Sequence, residues 1–147
     1  MVRLENSILT TPGDSANDAS KADIDFPPKT AADFFKRGLK NAQLGIPDKA
    51  AADFEEAAWL EPENHEIQFN LGVAYLSMGD FEQSINNFTK AIELKPGQAD
   101  MYGNRAVAHA AIGEDDRSEA DAAEAIKLGA PPDGLGAVID YVKQQRK

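Results

Sequence analysis

The sequence of 147 residues contains no cysteine, two histidines and few aromatic residues (7%). Without cysteine, the chain cannot form disulfides, thiolate nucleophiles or zinc–thiolate centres. Its longest apolar stretches are far shorter than the roughly 20 residues that a transmembrane helix requires, so we expect no membrane insertion. Residues 1–11 lack the apolar centre of a secretory signal, and the region is too acidic for an organelle transit peptide. A cytoplasmic location is therefore the default expectation.

Basic residues are scarce as well. The chain has 15 Lys and Arg against 25 Asp and Glu, which gives a formal net charge of −10. Such a surface repels phosphate backbones and anionic membranes, so we do not expect nucleic acid as a partner. Solubility is the simplest explanation of the acidity, and attraction for a basic partner is the alternative.

What the sequence does contain is one pattern written three times with a period of 34 residues. Three coincident registers do not arise readily by chance, so this repetition is the feature that predicts the fold. The superposed sets are Gly45, Gly79 and Gly113; Gly38, Gly72 and Ala106; Phe54, Phe88 and Ala122; Ala57, Ala91 and Ala125; and Leu60, Leu94 and Leu128.

The pattern resembles the tetratricopeptide repeat, which has a small residue on a first helix, a glycine at the turn, an alanine and an aromatic residue on a second helix, and a closing proline. The resemblance covers about residues 31–132, and the middle copy at 65–98 is nearly complete. The pattern is broken at Arg37, where a leucine is usual, and at Ala122, where an aromatic residue is usual. The resemblance implies an all-α fold, a right-handed superhelix (α-solenoid) of helix–turn–helix repeats.

Local signals agree with pairs of helices. Apolar residues recur at helical spacing within each half-repeat, and the small residue Gly72 would allow two helices to approach closely. Thr30 with Asp33 predicts a capping box, and Asp80 with Gln83 predicts another. The glycines at the turns are expected to adopt the left-handed conformation that ends a helix and lets the chain reverse.

We expect a domain at 30–147 that contains repeats at 31–64, 65–98 and 99–132 and a capping helix at 134–146. About three such helix pairs must stack before their apolar faces are buried. We interpret the seventh helix as a cap over the last repeat, and a binding role for it is the alternative. Its predicted apolar stripe consists of Leu135, Val138, Ile139 and Val142.

Residues 1–29 differ in kind from the rest. Pro, Gly, Ser, Asp, Asn and Thr dominate residues 10–20, which predicts a flexible N-terminal arm. Two short apolar pieces interrupt it, Ile8-Leu9 and 24–28. The sequence leaves open whether this arm docks in the groove described below or contacts nothing.

Candidate catalytic and metal-binding residues are few. His65 and His109 have no carboxylate at ligand spacing in the sequence, so we interpret both as structural rather than as metal ligands. The acidic run at 114–116 lacks the remaining pattern of a calcium loop and suits the first turn of a helix. No phosphate loop, nucleophile elbow or dinucleotide motif occurs. We therefore predict no catalytic residue, no cofactor and no metal site.

The resemblance implies that the first helices of the repeats line a concave groove. Asn70 and Asn104, one repeat apart, could pair with the backbone of an extended peptide, because an amide both donates and accepts. Apolar neighbours could receive the side chains of that peptide, and ordinary polar surface is the alternative interpretation. The predicted groove residues are Phe35, Lys36, Leu39, Glu66, Phe69, Asn70, Val73, Asp100, Asn104 and Val107.

We therefore predict a protein-interaction module, an adaptor or assembly factor that binds an apolar peptide or helix of a partner protein. One alternative is a permanent structural or regulatory subunit of a larger complex, and another is an enzyme with an unrecognised site. The sequence leaves the oligomeric state open.

The ligand class is narrowed by a comparison with the chaperone adaptors of this family, which hold a C-terminal carboxylate with Lys, Asn and Arg. At the matching positions this sequence has Phe35, Leu39, Asp100 and Asn104, and only Asn70 agrees. Clamping of an Hsp90-type carboxylate is therefore not expected.

Overall fold

A computed structural model describes residues 27–146, and this part of the chain forms seven α-helices and no β-strand. The predicted N-terminal arm falls almost entirely on residues 1–26, outside the described residues. The helices are α1 (Ala31–Gln43), α2 (Pro47–Leu60), α3 (His65–Met78), α4 (Phe81–Leu94), α5 (Ala99–Ala111), α6 (Asp115–Lys127) and α7 (Pro132–Gln145).

The first six helices form three packed pairs, α1 with α2, α3 with α4, and α5 with α6. A glycine stands in each short turn between the members of a pair. Gly45, Gly79 and Gly113 have φ of 74°, 80° and 85°, which is the left-handed region predicted from the sequence.

The helix starts confirm one capping prediction and correct another. The Oγ1 of Thr30 accepts a hydrogen bond from the backbone N–H of Asp33 at 3.1 Å, and Asp33 accepts from the N–H of Thr30 at 3.2 Å. The N–H groups of Lys29 and Thr30 lower the pKa of the Asp33 carboxyl, because they stabilise its ionised form. At α4 only half of the predicted box is formed, since Asp80 accepts from the N–H of Gln83 and no reciprocal bond joins them.

The stack curves, with the first helices of the pairs on its inner side. Helix α5 contacts both α3 and α7, whereas α2, α4 and α6 make no comparable contacts with one another within residues 27–146. Neighbouring pairs are joined by packing of α2 on α3 and of α4 on α5. Helices α3 and α5 therefore lie closer together than the second helices of their pairs, so the free sides of the first helices face the concave side of the stack.

A glycine facing a phenylalanine sets the distance between the two helices of a pair. A Cβ placed on Gly38 would lie 2.6 Å from the ring of Phe54, and one on Gly72 would lie 2.7 Å from the ring of Phe88. Both rings are fully buried, and burial of each contributes roughly 1.5–3 kcal/mol. Any side chain at these two glycines would force the helices apart.

The third pair departs from the repeat pattern at both of these positions together. Ala106 replaces the glycine, and Ala122 packs against it where the other repeats have phenylalanine. The extra methyl group on one helix thus accompanies the loss of a ring from the other. The departure at Ala122 is compensated inside the same helix pair.

Arg37 belongs to the first of two ion pairs that occupy equivalent positions and have a buried aspartate. Arg37 donates to both carboxylate oxygens of Asp53, at 2.9 and 2.7 Å. Sixty-eight residues later, Arg105 donates to both oxygens of Asp121, at 2.7 and 2.8 Å. Both aspartates are buried, and the bond to Asp121 raises the pKa of Arg105. The middle repeat has Leu71 at the arginine position.

His109 lies beside the second ion pair and is buried. Its Nδ1 is 2.8 Å from Oε1 of Glu114, and its Nε2 is 3.7 Å from Oδ2 of Asp121. Glu114 is five residues after His109 in the sequence, and the turn between α5 and α6 brings its carboxylate back over the end of α5. The described residues contain no group of three or more side chains arranged to hold a metal ion.

Helix α7 closes the stack, and it begins two residues earlier than predicted because Pro132 occupies its first turn. Its apolar stripe consists of the buried Ile139 and the partly buried Leu135 and Val142, which pack on Ala106 and Ala110 of α5. The predicted fourth member of that stripe, Val138, lies outside it and is 48% exposed.

The far end of α7 is fastened by an arginine. Arg146 donates to the carbonyl of Ala110 at 2.6 Å and pairs with Asp115 at the same distance. This contact lowers the pKa of Asp115, because the guanidinium stabilises the ionised carboxylate.

None of the helices that the structure describes is long and apolar enough to cross a membrane.

Replacing Gly72 with alanine should destabilise the protein by about 1–2 kcal/mol, because the clash with Phe88 outweighs the gain in helix propensity. Gly103→Ala is the matched control, since its nearest neighbours, Leu135 and Ala125, would be 3.8 and 3.9 Å from the new Cβ. That variant should be more stable than the wild type by about 0.5–1 kcal/mol. Urea unfolding followed by circular dichroism measures both, and equal stabilities for the two variants would contradict this account of the helix spacing.

Removing one partner of a buried ion pair should cost more where the arginine is less exposed. The Arg105 side chain is 19% exposed and that of Arg37 is 50% exposed. We expect Asp121→Ala to lower the free energy of unfolding by about 3 kcal/mol, because Arg105 is left largely buried without a partner. We expect Asp53→Ala to lower it by only about 1 kcal/mol, because water can solvate the more exposed Arg37.

A double variant distinguishes the stability that the ion pair itself contributes from the cost of leaving a buried charge without a partner. Arg105→Leu combined with Asp121→Asn copies the middle repeat, which has Leu71 and Asn87 at these positions. It should be less destabilised than Asp121→Ala alone, because no charge is left without a partner. A double variant at least as unstable as the single one would show that the ion pair itself holds the third repeat together. Denaturant midpoints give the comparison.

Candidate functional site

All ten residues predicted to line a groove lie on the first helices of the three pairs, α1, α3 and α5. Seven are partly buried and three are exposed. The partly buried residues are Phe35, Leu39, Phe69, Asn70, Val73, Asn104 and Val107, and the exposed ones are Lys36, Glu66 and Asp100.

Two of the predicted groove residues also belong to the packing of the repeats. Phe35 packs on Phe54 with a centroid separation of 5.5 Å, and Phe69 packs on Phe88 at 5.7 Å. Each ring therefore has one side in the core and only its remainder available to a ligand. From the sequence, these rings were expected to be exposed on a polar face and available for a ligand. Packing against the core explains part of their placement instead.

The aliphatic residues form a row across the concave face. Leu39, Val73 and Val107 occupy the same position in three successive repeats, and none is fully buried. Leu39 packs against the core between the first two repeats, and Val107 packs against the cluster that contains Ile139. The row therefore forms a narrow apolar strip, and packing against the core fixes the positions of its side chains.

The two asparagines are oriented by their own helices. Nδ2 of Asn70 donates to the carbonyl of Glu66 at 2.9 Å, and Nδ2 of Asn104 donates to the carbonyl of Asp100 at 2.8 Å. Each amide thus has one N–H directed toward the start of its helix. Within residues 27–146 neither Oδ1 accepts a hydrogen bond, so both oxygens can accept from a ligand.

The charges on this face are unevenly placed. Glu66 and Asp100 lie in the first turns of α3 and α5, so they mark the edge of the groove where these helices begin. Lys36 lies on α1, among the apolar residues. The edge therefore favours a cationic group and opposes a carboxylate.

Sequence reasoning did not consider two exposed residues of α7 as members of the repeat pattern. Val138 and Tyr141 are 48% and 61% exposed, and they stand 34 residues after Asn104 and Val107. The signal was available, because extending the same period by one more step reaches them. They were passed over because α7 was interpreted chiefly as a cap, with Val138 assigned to its buried stripe.

The outer face has a cleft between α4 and α6, with Arg105, His109 and Asp121 at its base. The guanidinium of Arg105 is bonded to Asp121 and also donates to Thr89 at 3.0 Å. Arg105 and Asp121 at the base of this cleft are thus already paired with each other. We assign the cleft to packing between repeats.

Comparison with protein families finds two models of the tetratricopeptide repeat, one matching residues 65–98 and the other residues 35–77. Comparison with curated proteins finds no significant match.

Solved structures with the same fold are numerous. The second tetratricopeptide domain of human RPAP3, determined with an HSP70 peptide, has a TM-score of 0.70 and 18% identity, with 77% of this chain and 94% of that chain covered. The TPR2B domain of yeast Sti1, in a complex with pHsp70, has a TM-score of 0.70 and 20% identity, with 79% and 98% covered.

A MamA structure (AMB-1) has a TM-score of 0.66 and 25% identity, with 82% of this chain and 66% of that chain covered. The matched repeat models, the 34-residue period and the paired helices agree with one another. The chain is a tetratricopeptide-repeat protein.

Proposed function

We propose that the protein is an adaptor or assembly factor that holds an apolar segment of another protein in its concave groove. The observation that carries this proposal is the row of Leu39, Val73 and Val107, which leaves a strip of apolar surface on a face otherwise edged by charge. Peptide binding by the similar domains of RPAP3 and Sti1 supports the same use of the concave face.

The ligand differs in chemistry from the peptides of those domains. The RPAP3 peptide ends in Glu-Glu-Val-Asp and carries acidic groups. Here Glu66 and Asp100 edge the groove, and Phe35 and Leu39 stand where the chaperone adaptors have lysine and asparagine. An acidic C-terminus would be repelled by the edge and would find no cationic clamp, so the ligand is apolar and is not an acidic tail.

The protein acts by binding, without catalysis of its own. The polar groups of the outer cleft are paired with one another, and the asparagines of the groove suit recognition of a peptide backbone. A cytoplasmic location completes the proposal and rests on composition alone. A permanent subunit of a larger complex would use the same face, and stoichiometric co-purification with one partner at high salt would distinguish it from an adaptor.

Panning a phage-displayed library of random twelve-residue peptides on the protein supplies a probe for the groove. Affinity of the enriched peptide for the Asn70→Ala/Asn104→Ala variant should fall by about 5- to 100-fold, since ligand N–H groups lose their acceptors. Asn86→Ala is the matched control, because Asn86 is an exposed amide on α4, away from the concave face. Fluorescence anisotropy measures the affinities.

Both variants should keep the helical circular dichroism of the wild type, because the affected amides are on the surface. Undiminished binding to the double variant, or an equal loss in the control, would exclude the concave asparagines as the recognition site.

A further inference from the structure

Helix α7 follows the third helix pair as a further first helix would, but it packs mainly on α5. Its core-facing residues are the buried Ile139 and the partly buried Leu135 and Val142. They stand 68 residues after Leu71, Ile67 and Ala74, the residues through which α3 packs on the preceding repeat. Asp140, in contrast, stands 34 residues after Ala106 and is exposed. In the three preceding repeats that position faces the second helix of the pair.

The orientation of α7 follows from its contacts. Lys143 reaches Glu119 and Arg146 reaches Asp115, and both acidic residues belong to α6 on the outer side of the stack. At 100° per residue, Val138 and Tyr141 lie on the opposite side of the buried stripe from Lys143. These two side chains therefore lie on the concave side, in line with Asn104 and Val107.

We propose that α7 forms a fourth wall of the groove and that the occupant is an extended, apolar and cationic segment of a partner protein. This inference rests on the proposed function. It extends the groove onto α7 and specifies the chemistry of the ligand. The apolar row then runs through Leu39, Val73, Val107 and Tyr141. Successive inner helices lie at or beyond the spacing of packed helices, roughly 8–10 Å, because α3 and α5 make few contacts. The row is therefore at least roughly 25–30 Å long and takes at least about eight extended residues.

An extended ligand is favoured by the asparagines. The Oδ1 atoms of Asn70 and Asn104 accept hydrogen bonds, and an extended peptide has backbone N–H groups free to donate. The N–H groups of a helical ligand are already bonded to its own carbonyls. The amides would therefore gain little from a helix.

A cationic ligand is favoured by the edge of the groove. Glu66, Asp100 and Asp133 lie in the first turns of three successive inner helices, α3, α5 and α7. Alternate side chains of an extended peptide point in opposite directions, so one set can meet the apolar row while the other reaches the acidic edge. A segment that alternates apolar and basic residues satisfies both.

The test uses two fluorescein-labelled decapeptides, one of alternating leucine and lysine and one of alternating leucine and glutamate. The lysine peptide should bind at least tenfold more tightly than the glutamate peptide, and the Glu66→Gln/Asp100→Asn variant should lose most of that preference. Tyr141→Ala should weaken binding of the lysine peptide by about tenfold, because an aromatic contact is lost.

Trp59→Ala is the matched control for the loss of an exposed aromatic residue. Trp59 is 83% exposed on α2, one of the outer helices, and its removal should change the affinity by less than twofold. Both substituted side chains are exposed, so the variants should unfold at the wild-type urea concentration.

The pattern of results separates the two proposals. If Val73→Ala weakens binding and Tyr141→Ala does not, α7 is only a cap and the groove has three walls. If neither variant weakens binding, or Trp59→Ala weakens it equally, the lysine peptide does not occupy the concave face, and this inference fails. The panned peptide still tests the groove independently. Equal affinity for the two decapeptides would contradict the proposal that the ligand is cationic.

Discussion

The close approach of two helices inside each repeat is the constraint on which the rest of the structure depends. Gly38 and Gly72 bring the first helix against the ring of a phenylalanine on the second, and the next repeat then packs on the apolar side that this contact leaves. If the helices of one pair moved apart, the concave face would change its curvature and spacing. The groove is thus shaped by residues that no ligand touches.

Buried charge is tolerated inside this frame because it is paired within a repeat. Arg37 and Arg105 occupy a position that is apolar in the middle repeat, and each is held by an aspartate of its own second helix. An internal pair of this kind gives little net stability over a well-packed leucine, but it is costly to break. The first and third repeats can therefore carry charge where the middle repeat carries Leu71, without a change in fold.

Much of the fold could be predicted because it is encoded locally and repeatedly. The left-handed glycines, the box at Thr30 and the helix pairs follow from a period that any one copy shows imperfectly. The partner of Arg37 could not be read from the sequence, because Asp53 is sixteen residues away and resembles any surface aspartate until the helices pack. The same holds for His109 and Glu114, and for the amide orientations of Asn70 and Asn104. These depend on side-chain rotamers and tertiary contacts.

Capping and ligand binding are compatible roles for α7 because they use different sides of one helix. Ile139 and its neighbours face α5, and Arg146 fastens the far end to Ala110 and Asp115. A cap needs a polar free face, and the lysine, the two glutamines and the aspartates of α7 would meet that need without Tyr141. An exposed tyrosine in line with Val107 is not required for solubility, and it gains a physical reason when the groove continues onto α7.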